Sequence, residues 1–132
     1  MSPSKEYVGW HQVEFAVRAI AKLVKPRVEK GELVNIYGPP RGGLCPAVML
    51  SHATGLPLTF EPGLKTLIID DIADTGKTLE EILSKRIPGY MLYNGVAENV
   101  FTIYYHKQSS IKPERYFFEK KNAWIVFPWE CE

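Results

Sequence analysis

The sequence predicts an α/β fold in which a mostly parallel, twisted sheet is flanked by helices. Strand-like and helix-like segments alternate along the chain, and this alternation is typical of parallel sheets with right-handed crossovers. Short apolar runs also end directly in polar side chains or in glycine-rich loops. Because ligands of such sheets bind at the carboxyl ends of the strands, we expect the functional residues there.

The helices are predicted from apolar residues at helical spacing, and the strands from short β-branched or aromatic runs. The first helix should end or kink near Pro26 and stop at Gly31, and the second should be closed by Gly55. In chain order the predicted elements are a helix at 10–24, a strand at 33–37, a helix at 44–54, an extended piece at 56–60, a strand through 67–69, a helix at 77–86, a strand at 99–105 and a last strand within 122–130.

The length of 132 residues predicts one domain, 1–132, that buries a sizeable core. With 45% hydrophobic residues, 23% charged residues and a net charge of +1, the composition is that of a globular protein and gives no electrostatic case for binding nucleic acid. The N-terminus lacks a signal-peptide layout, and no apolar run is long enough to span a bilayer. Because Cys45 and Cys131 are far apart and lack metal-type spacing, we expect reduced thiols and a cytoplasmic location.

The most informative stretch, 64–79, reads LKTLIIDDIADTGKTL. Its apolar run delivers two adjacent carboxylates, Asp70 and Asp71, and Asp74 follows just before a Thr-Gly-Lys-Thr turn that opens a helix. Carboxylates suit a divalent cation or sugar hydroxyls, and the free N–H groups at a helix N-terminus suit phosphate. The stretch therefore predicts a site for a phosphorylated sugar.

Two other interpretations of this stretch have to be weighed. A P-loop is excluded, although Gly-Lys-Thr at 76–78 looks like its end, because that motif needs a glycine where this chain has Asp71. The remaining alternative is purely structural: a buried strand followed by a solvated acidic turn and a capped helix, since Asp and Thr are common in loops and caps. A second loop, one βα unit earlier, favours the ligand site.

That second loop, 38–43, has the sequence GPPRGG and joins the strand at 33–37 to the helix at 44–54. A glycine-rich loop between a strand and a helix offers free N–H groups to an anion. Arg41 adds a guanidinium whose donors match phosphate oxygens. Taken alone the loop is a weak signal, because Pro and Gly cluster in any turn. Its place just before the acidic stretch strengthens it.

The two loops resemble the pyrophosphate loop and the 5-phosphoribosyl-1-pyrophosphate (PRPP) motif of the type I phosphoribosyltransferases. The opening YVGWHQVEFAVRAIAKLV, the strand ending FTIYYHK and the terminal AWIVFPWE look similar to the bacterial and archaeal xanthine-guanine and hypoxanthine-guanine members. The resemblance implies a fold of that type with a reduced hood. It also implies transfer of the phosphoribosyl group from PRPP to a 6-oxopurine (guanine, hypoxanthine or xanthine) in purine salvage. Mg²⁺ would be the cofactor and PRPP and a purine base the partners, without nucleic acid or membrane.

The same resemblance assigns roles to individual residues. Asp70 and Asp71 would hold the ribose hydroxyls and the metal, and Asp74 would be the general base or acid at the purine. Lys77 stands where some relatives have a second glycine, which adds a charge near the phosphate. The other PRPP-binding residues would be Thr75, Gly76, Lys77 and Thr78, and the pyrophosphate-binding residues would be Pro40, Arg41, Gly42 and Gly43.

Base recognition is assigned, by the resemblance, to the end of the FTIYYHK strand and to the C-terminal segment. Lys107 or its neighbour His106 would donate a hydrogen bond to the purine 6-oxo group, and the choice between them stays open. Trp124 would stack on the base, the Ile125 carbonyl would accept from an exocyclic amine, and Glu130 would face a second metal through water. Without the family, Trp124 as sheet packing and Lys107 as a solvated strand end are the alternatives.

One departure from the family concerns the long flexible loop that closes over the site in purine phosphoribosyltransferases. Only 56–63 separates the second helix from the acidic stretch, so this flexible loop is missing or much shortened. The segment 109–116 or another subunit would then have to cover the site, and a homo-oligomer, a dimer or tetramer, is expected. The short loop keeps a second hypothesis open: a PRPP- or nucleotide-binding regulatory protein of the same fold with little or no catalysis.

Overall fold

The structure is a computed structural model that describes residues 4–131. Within that part of the chain it has three helices and seven strands, which alternate as predicted up to the fourth strand, after which three more strands follow without a helix between them. In chain order they are β1 (Lys5–Tyr7), α1 (Trp10–Glu29), β2 (Asn35–Tyr37), α2 (Leu44–Thr54), β3 (Thr66–Ala73), α3 (Lys77–Lys85), β4 (Val96–His106), β5 (Lys112–Arg115), β6 (Phe118–Lys120) and β7 (Trp124–Val126). Among residues 4–131, no helix combines the length and the apolar content needed to cross a lipid bilayer. The expectation about the N-terminal leader rests partly on residues 1–3, which lie outside the described residues.

The main sheet is parallel and has the strand order β2–β3–β4–β5, with β6 as a further partner of β4. Strand β4 has 11 residues, enough to pair with β5 along its first half and with β6 at its end. Strands β1 and β7 form a separate two-stranded parallel sheet. The expected parallel α/β architecture is confirmed.

The alternation of side chains along β3 explains why helices cover both faces of the sheet. Leu67 and Ile69 are fully buried in one cluster with α1 and α2, whereas Ile68 is buried in a second cluster with α3. Successive side chains of a strand point to opposite faces, so a strand that is covered on both faces is apolar throughout. The apolar run before the acids is therefore the central strand of the fold.

Helix α1 runs further than predicted, to Glu29, and Pro26 lies inside it. A proline inside a helix removes one hydrogen bond, but other contacts hold the last turn here. Val24 is fully buried on the core side of the helix. Arg27 forms a bidentate ion pair with Glu114, with nitrogen–oxygen distances of 3.0 and 2.6 Å. The expected end near Pro26 is wrong for these reasons, whereas the expected stop at Gly31 is confirmed, because the helix ends at Glu29 and Gly31 follows with a φ of +73°.

The connection between α2 and β3 is as short as the sequence indicated. Helix α2 has the predicted bounds and ends at Gly55, whose φ of +79° favours glycine. The predicted extended piece makes a single parallel bridge to the sheet, between Leu58 and Ile36. The strand before it is shorter than predicted, because pairing with β3 begins only at Asn35.

Three short strands, β1, β5 and β6, were not predicted. Their sequences, KEY, KPER and FEK, carry few apolar residues, so they look like charged loops. The expectation that 109–116 covers the site is wrong for its second half, because that half is β5. Its partners Val96 and Ala97 start β4, at the end of the strand away from its carboxyl terminus. The last strand is also narrower than predicted, and Trp124–Val126 pairs with β1.

The central position of Phe101 in β4 leads to a stability prediction. Replacing this fully buried side chain by Ala should lower the free energy of unfolding by about 3–5 kcal/mol, the range for large aromatic residues removed from a core. Phe60→Ala is the matched control, because Phe60 is 70% exposed and its loss should change that free energy by less than about 0.5 kcal/mol. Chemical denaturation measures both values, and equal effects would contradict the placement of Phe101.

Candidate active site

A cavity of about 230 Å³ lies at the carboxyl ends of β2 and β3. Its wall combines three parts of the chain that the sequence has in separate motifs: the glycine-rich loop, the acidic end of β3 and the turn that starts α3. The predicted site residues that line it are Pro40, Gly42, Asp70, Asp71, Asp74, Thr75, Gly76, Lys77 and Thr78. Folding thus joins most of the predicted PRPP-binding and pyrophosphate-binding residues at one place.

The acid pair lies within β3 rather than after it, which corrects the sequence-based expectation. The strand continues to Ala73 because it pairs with β4 as far as Tyr105. Asp70 is only 6% exposed, and its Oδ1 accepts a hydrogen bond from the Asp71 N–H at 2.9 Å. Oδ1 of Asp71 in turn accepts from the Ile72 N–H at 2.7 Å. The backbone of the strand therefore fixes both carboxylates.

Burial disfavours the charged forms of both carboxyl groups in this acid pair. It raises the pKa of Asp70 well above its ordinary value, and the neighbouring charge of Asp71 adds to the effect. Burial also raises the pKa of Asp71, although hydrogen bonds from Asp70 and Ile72 act in the opposite direction. Two carboxylates held this close share a proton or take up a cation. Within residues 4–131, no group of three or more His, Cys, Asp or Glu side chains is arranged to hold a metal ion.

The glycine-rich loop contacts the acid pair directly at Gly42. A Cβ atom at this position would overlap the Asp71 carboxylate, so only glycine lets the loop approach so closely. Gly43 is buried behind it, where an added Cβ would clash with the backbone of β3. Arg41 is exposed, and the peptide bond between Pro40 and Arg41 is cis. The loop and the acid pair therefore form one continuous surface.

The Thr-Gly-Lys-Thr turn opens α3 toward the cavity. Gly76 precedes the helix and has φ = +85°, a conformation that favours glycine. The N–H of Ser110 donates to the Thr75 carbonyl oxygen at 2.9 Å. The hydroxyls of Ser109 and Ser110 lie where a side chain on Gly76 would be. Because the first N–H groups of a helix lack intrahelical partners, this end of α3 presents donors to the cavity, and exposed Lys77 adds a positive charge.

Asp74 is the centre of a polar cluster beside this cavity. Its Oδ2 accepts a hydrogen bond from Lys120 Nζ at 2.8 Å, and its Oδ1 accepts one from Gln108 Nε2 at 3.1 Å. Nδ1 of His106 lies 3.2 Å from the same Oδ1, within ion-pair distance but not aligned for a hydrogen bond. Two elements, the end of β4 and β6, thus surround the predicted catalytic carboxylate with donors.

The strand register explains why these residues meet. Ala73 pairs with Tyr105, and the next residue of β4, His106, pairs with Lys120 of β6. Asp74 follows Ala73, so it falls into the same row as His106 and Lys120. Side chains in one row of a parallel sheet point to the same face. The ends of β4 and β6 and the residue directly after β3 therefore each contribute one side chain to the cluster.

Lys107, one of the two predicted base-binding donors, is not brought to this cluster. Its side chain is 83% exposed, and its ammonium lies 3.6 Å from Glu119. Glu119 and Lys120 are consecutive in β6, so their side chains point to opposite faces of the sheet. Of the two predicted donors, the structure places His106, but not Lys107, beside Asp74.

Lys120 is a candidate functional residue that the sequence did not reveal. Its side chain is only 13% exposed, and its Nζ lies 5.2 Å from the centroid of the Trp124 ring, within the range of a cation–π contact. In the sequence it stands in FFEKKN, which is typical of a solvated turn, and β6 has three residues. Only the pairing of β6 with β4 identifies it.

A second, larger cavity of about 1070 Å³ adjoins the first, and Asp71 lines both. Arg41, Trp124 and Glu130 line this second cavity. Trp124 is 55% exposed, whereas Ile125 in the same strand is buried. Of the predicted base-binding and pyrophosphate-binding residues that are absent from the smaller cavity's wall, Arg41 and Trp124 are thus found here, whereas Gly43, His106, Lys107 and Ile125 line neither cavity.

No model of a known protein family matches the chain. Among curated proteins the chain is similar to two xanthine-guanine phosphoribosyltransferases. The one from Idiomarina loihiensis is 23% identical and the one from Cereibacter sphaeroides 25% identical, and each match covers 94% of this chain and 86% of the relative.

Among solved structures, a purine phosphoribosyltransferase from Pyrococcus horikoshii is 31% identical, with a TM-score of 0.73 over 98% of this chain and 96% of that chain. A xanthine-guanine-hypoxanthine phosphoribosyltransferase from Helicobacter pylori is 18% identical, with a TM-score of 0.70 over 97% of this chain and 93% of that one. A hypothetical protein from Neisseria gonorrhoeae with bound ppGpp is 15% identical, with a TM-score of 0.62 over 99% and 92%. These last two similarities show the fold alone.

The fold and the cavity define an α/β domain with a polar cavity at the carboxyl edge of a parallel sheet. The chain belongs to the type I phosphoribosyltransferases. The family resemblance carried by the glycine-rich loop and the acidic stretch is thereby confirmed.

The contacts of Asp74 lead to a prediction about its pKa. Partial burial raises the pKa of Asp74, but hydrogen bonds from Lys120 and Gln108 and the charge of Lys120 outweigh it, so the pKa lies below its ordinary value. Lys120→Met should therefore raise the Asp74 pKa, and Lys107→Met should leave it unchanged. NMR titration of the Asp74 carboxyl carbon measures both.

The same contact has a consequence for stability. A carboxyl whose pKa is lowered by folding stabilises the protein above its unfolded-state pKa, and this contribution is lost as pH falls through the folded-state pKa. In Lys120→Met, most of this pH-dependent contribution of Asp74 to the free energy of unfolding should be lost. An unchanged Asp74 pKa in Lys120→Met would contradict the ion pair.

Proposed function

We propose that the protein transfers the 5-phosphoribosyl group from PRPP to a ring nitrogen of a 6-oxopurine, giving a nucleoside monophosphate and pyrophosphate. The observation that carries this proposal is the single cavity lined by the acid pair, by Gly42 of the glycine-rich loop and by the N-terminal turn of α3. Such a wall suits a ligand with phosphate at one end, hydroxyls in the middle and pyrophosphate at the other. The names of the relatives from Idiomarina, Cereibacter and Pyrococcus agree with it.

Each part of the cavity has a role in this proposal. The turn at 75–78 surrounds the 5′-phosphate, the acid pair takes the ribose hydroxyls, and the glycine-rich loop with Arg41 takes the pyrophosphate. When the bond from the anomeric carbon to pyrophosphate breaks, its electron pair leaves with pyrophosphate, and the electron pair of the purine nitrogen forms the new bond. Fixed donors and cations beside the leaving group, together with orientation of the two reactants, lower the barrier.

Mg²⁺ is the cofactor that fits the acid pair. This ion is usually held by one or two carboxylates together with substrate oxygens and water, and Asp70 and Asp71 supply two carboxylates on the cavity wall. Because burial raises the pKa of both groups, a cation favours their charged forms. When bound, the ion would neutralise charge on the departing pyrophosphate. Glu130, which lines the adjacent cavity, is the candidate for a second ion.

Asp74 is the proposed proton acceptor. As the new bond forms, the purine loses a proton from its imidazole ring, and a carboxylate within hydrogen-bond reach can take it. Asp74 lines the cavity and has a side chain that is 30% exposed, so it is accessible to a bound base. The neighbouring cation of Lys120 holds the carboxylate in its charged, proton-accepting form.

The donors around Asp74 also favour a 6-oxopurine over adenine. A 6-oxo group is a hydrogen-bond acceptor, whereas the 6-amino group of adenine is a donor, and a lysine ammonium has donors only. Trp124 is exposed on the wall of the second cavity, where a base can stack on it. The backbone carbonyl of Ile125 is the proposed acceptor for an exocyclic amine.

The short connection between α2 and β3 supports a second candidate function. Without a long loop to exclude water, a protein of this fold can bind PRPP or a nucleotide and do little chemistry. In that case the protein would be a regulatory protein that senses the ligand. The Asp74 cluster, which binding alone does not require, favours the enzyme.

A nucleotide-formation assay tests the proposal. The protein is mixed with PRPP, Mg²⁺ and guanine, hypoxanthine, xanthine or adenine in separate reactions, and the products are separated by liquid chromatography. We expect a nucleoside monophosphate from at least one 6-oxopurine and little from adenine, because of the donor mismatch. Best activity with adenine would overturn the 6-oxopurine specificity. Tight PRPP binding without any product would favour the regulatory protein.

The acid pair gives a second test. Asp70→Asn combined with Asp71→Asn should abolish Mg²⁺-dependent PRPP binding in calorimetry, and Glu81→Gln, an exposed acid of α3, should leave it unchanged. Because the pKa of Asp70 is raised in the folded state, its ionisation costs stability as pH rises above the unfolded-state pKa, so the double variant should be more stable near neutral pH. Unchanged PRPP affinity in a folded double variant would contradict the assigned site.

A further inference from the structure

We infer that Lys120 of β6, and not Lys107 directly after β4, donates a hydrogen bond to the 6-oxo group of the purine. The same ammonium also holds Asp74 in place. This inference rests on the proposed function and names a specificity-determining residue for it. Three observations support it: the position of the Lys120 ammonium between Asp74 and Trp124, the exposure of Lys107, and the chemistry of the His106 ring.

The first observation is the position of the ammonium group. Nζ of Lys120 lies 2.8 Å from Oδ2 of Asp74 and 5.2 Å from the centroid of the Trp124 ring. A base that contacts both Asp74 and Trp124 would therefore lie within reach of this ammonium. The Lys120 side chain is 13% exposed, so solvent competes weakly for its remaining N–H donors.

The ammonium and the carboxylate together match one edge of a 6-oxopurine. In such a base the 6-oxygen, an acceptor, is next to N7 of the imidazole ring, which carries a proton in one tautomer. Lys120 has three N–H donors and needs only one for Asp74. A second can bind the 6-oxygen while Asp74 accepts the neighbouring ring proton. Adenine offers an amino donor at the same place, and Lys120 has no acceptor for it.

The two other donors fit less well. The ammonium of Lys107 is directed to Glu119, on the face of the sheet opposite Lys120, and its side chain is 83% exposed. A single hydrogen bond from so exposed a group competes with water and discriminates little. His106 lies beside Asp74, but a neutral imidazole nitrogen can be donor or acceptor. It can therefore pair with either a 6-oxo or a 6-amino group.

The pairing of Lys120 with Asp74 also gives the lysine a positioning role. One side chain that contacts both the base edge and the proton acceptor fixes the distance between them. Loss of the ammonium should therefore affect the recognition of 6-oxo ligands and the rate of the chemical step together. A lysine that served only to stabilise the fold would affect 6-oxo and 6-amino ligands alike.

Binding of two nucleotides that differ at position 6 tests the inference without relying on turnover. The affinities of inosine monophosphate and adenosine monophosphate are measured by calorimetry for the wild type, Lys120→Met and the control Lys107→Met. In Lys120→Met we expect inosine monophosphate to bind about 10- to 100-fold more weakly, as for loss of a hydrogen bond to a charged group. Adenosine monophosphate should change by less than about threefold, and Lys107→Met should keep the wild-type ratio.

A second measurement covers the case in which Lys120→Met does not fold. In the wild type with ¹⁵N-labelled lysine, the Lys120 ammonium signal, identified by its absence from Lys120→Arg, should shift on addition of inosine monophosphate and not of adenosine monophosphate. A shift of the Lys107 signal alone would overturn the inference.

The outcomes separate the inference from the function on which it rests. If the wild type forms nucleotides from 6-oxopurines but Lys120→Met keeps the wild-type affinity ratio, or loses affinity for both nucleotides equally, the inference is wrong and the proposed function stands. If Lys107→Met, and not Lys120→Met, weakens the binding of inosine monophosphate, the inference is wrong and Lys107 is the donor to the 6-oxo group. If the wild type neither forms a nucleotide nor binds inosine monophosphate, both proposals fall.

Discussion

The burial of a carboxylate inside the central strand is the constraint on which the rest of the site depends. Asp70 lies in β3, where both faces are covered by helices, and it is among the few polar residues that are buried in the described chain. A charge in such a place is costly unless a cation or proton compensates it. The N–H groups of Asp71 and Ile72 each give one carboxylate of the pair a hydrogen bond, and the missing side chain of Gly42 leaves room for the Asp71 carboxylate.

The register of the sheet, more than any loop, brings the Asp74 cluster together. Asp74, His106 and Lys120 come from three separate segments, and they meet because His106 pairs with Lys120 at the ends of β4 and β6, while Asp74 directly follows the end of β3. A slip of β6 by one residue would exchange Lys120 for a side chain of the opposite face. The three-residue strand β6 therefore determines which cationic side chain contacts Asp74.

The fold and the smaller cavity could be predicted from the sequence, because both depend on local patterns. The apolar run before Asp70 predicts a buried strand, and the glycine at position 55 predicts a helix end, from neighbouring residues alone. The acid pair was placed after the strand because its continuation depends on pairing with β4, which the local pattern does not contain. Lys120 cannot be identified from the local sequence for the same reason: a lysine in FFEKKN is typical of a solvated turn, and only the pairing of β6 with β4 buries it. Pro26 alone predicts an earlier helix end than the structure has, because the ion pair of Arg27 with the distant Glu114 holds the last turn.

The short connection between α2 and β3 affects how long a ligand stays bound. In enzymes with a mobile lid, its opening often limits the release of product. Here the connecting segment is tied to the sheet edge by the bridge of Leu58 to Ile36 and by a hydrogen bond of 2.8 Å from the Thr59 N–H to the Ile36 carbonyl oxygen. A segment anchored in this way has little freedom to swing across the cavity. For the proposed ligands, the residence time on one copy of the chain would then depend on the contacts made in the cavity and on the hydration of their charged groups, and not on the opening of this segment.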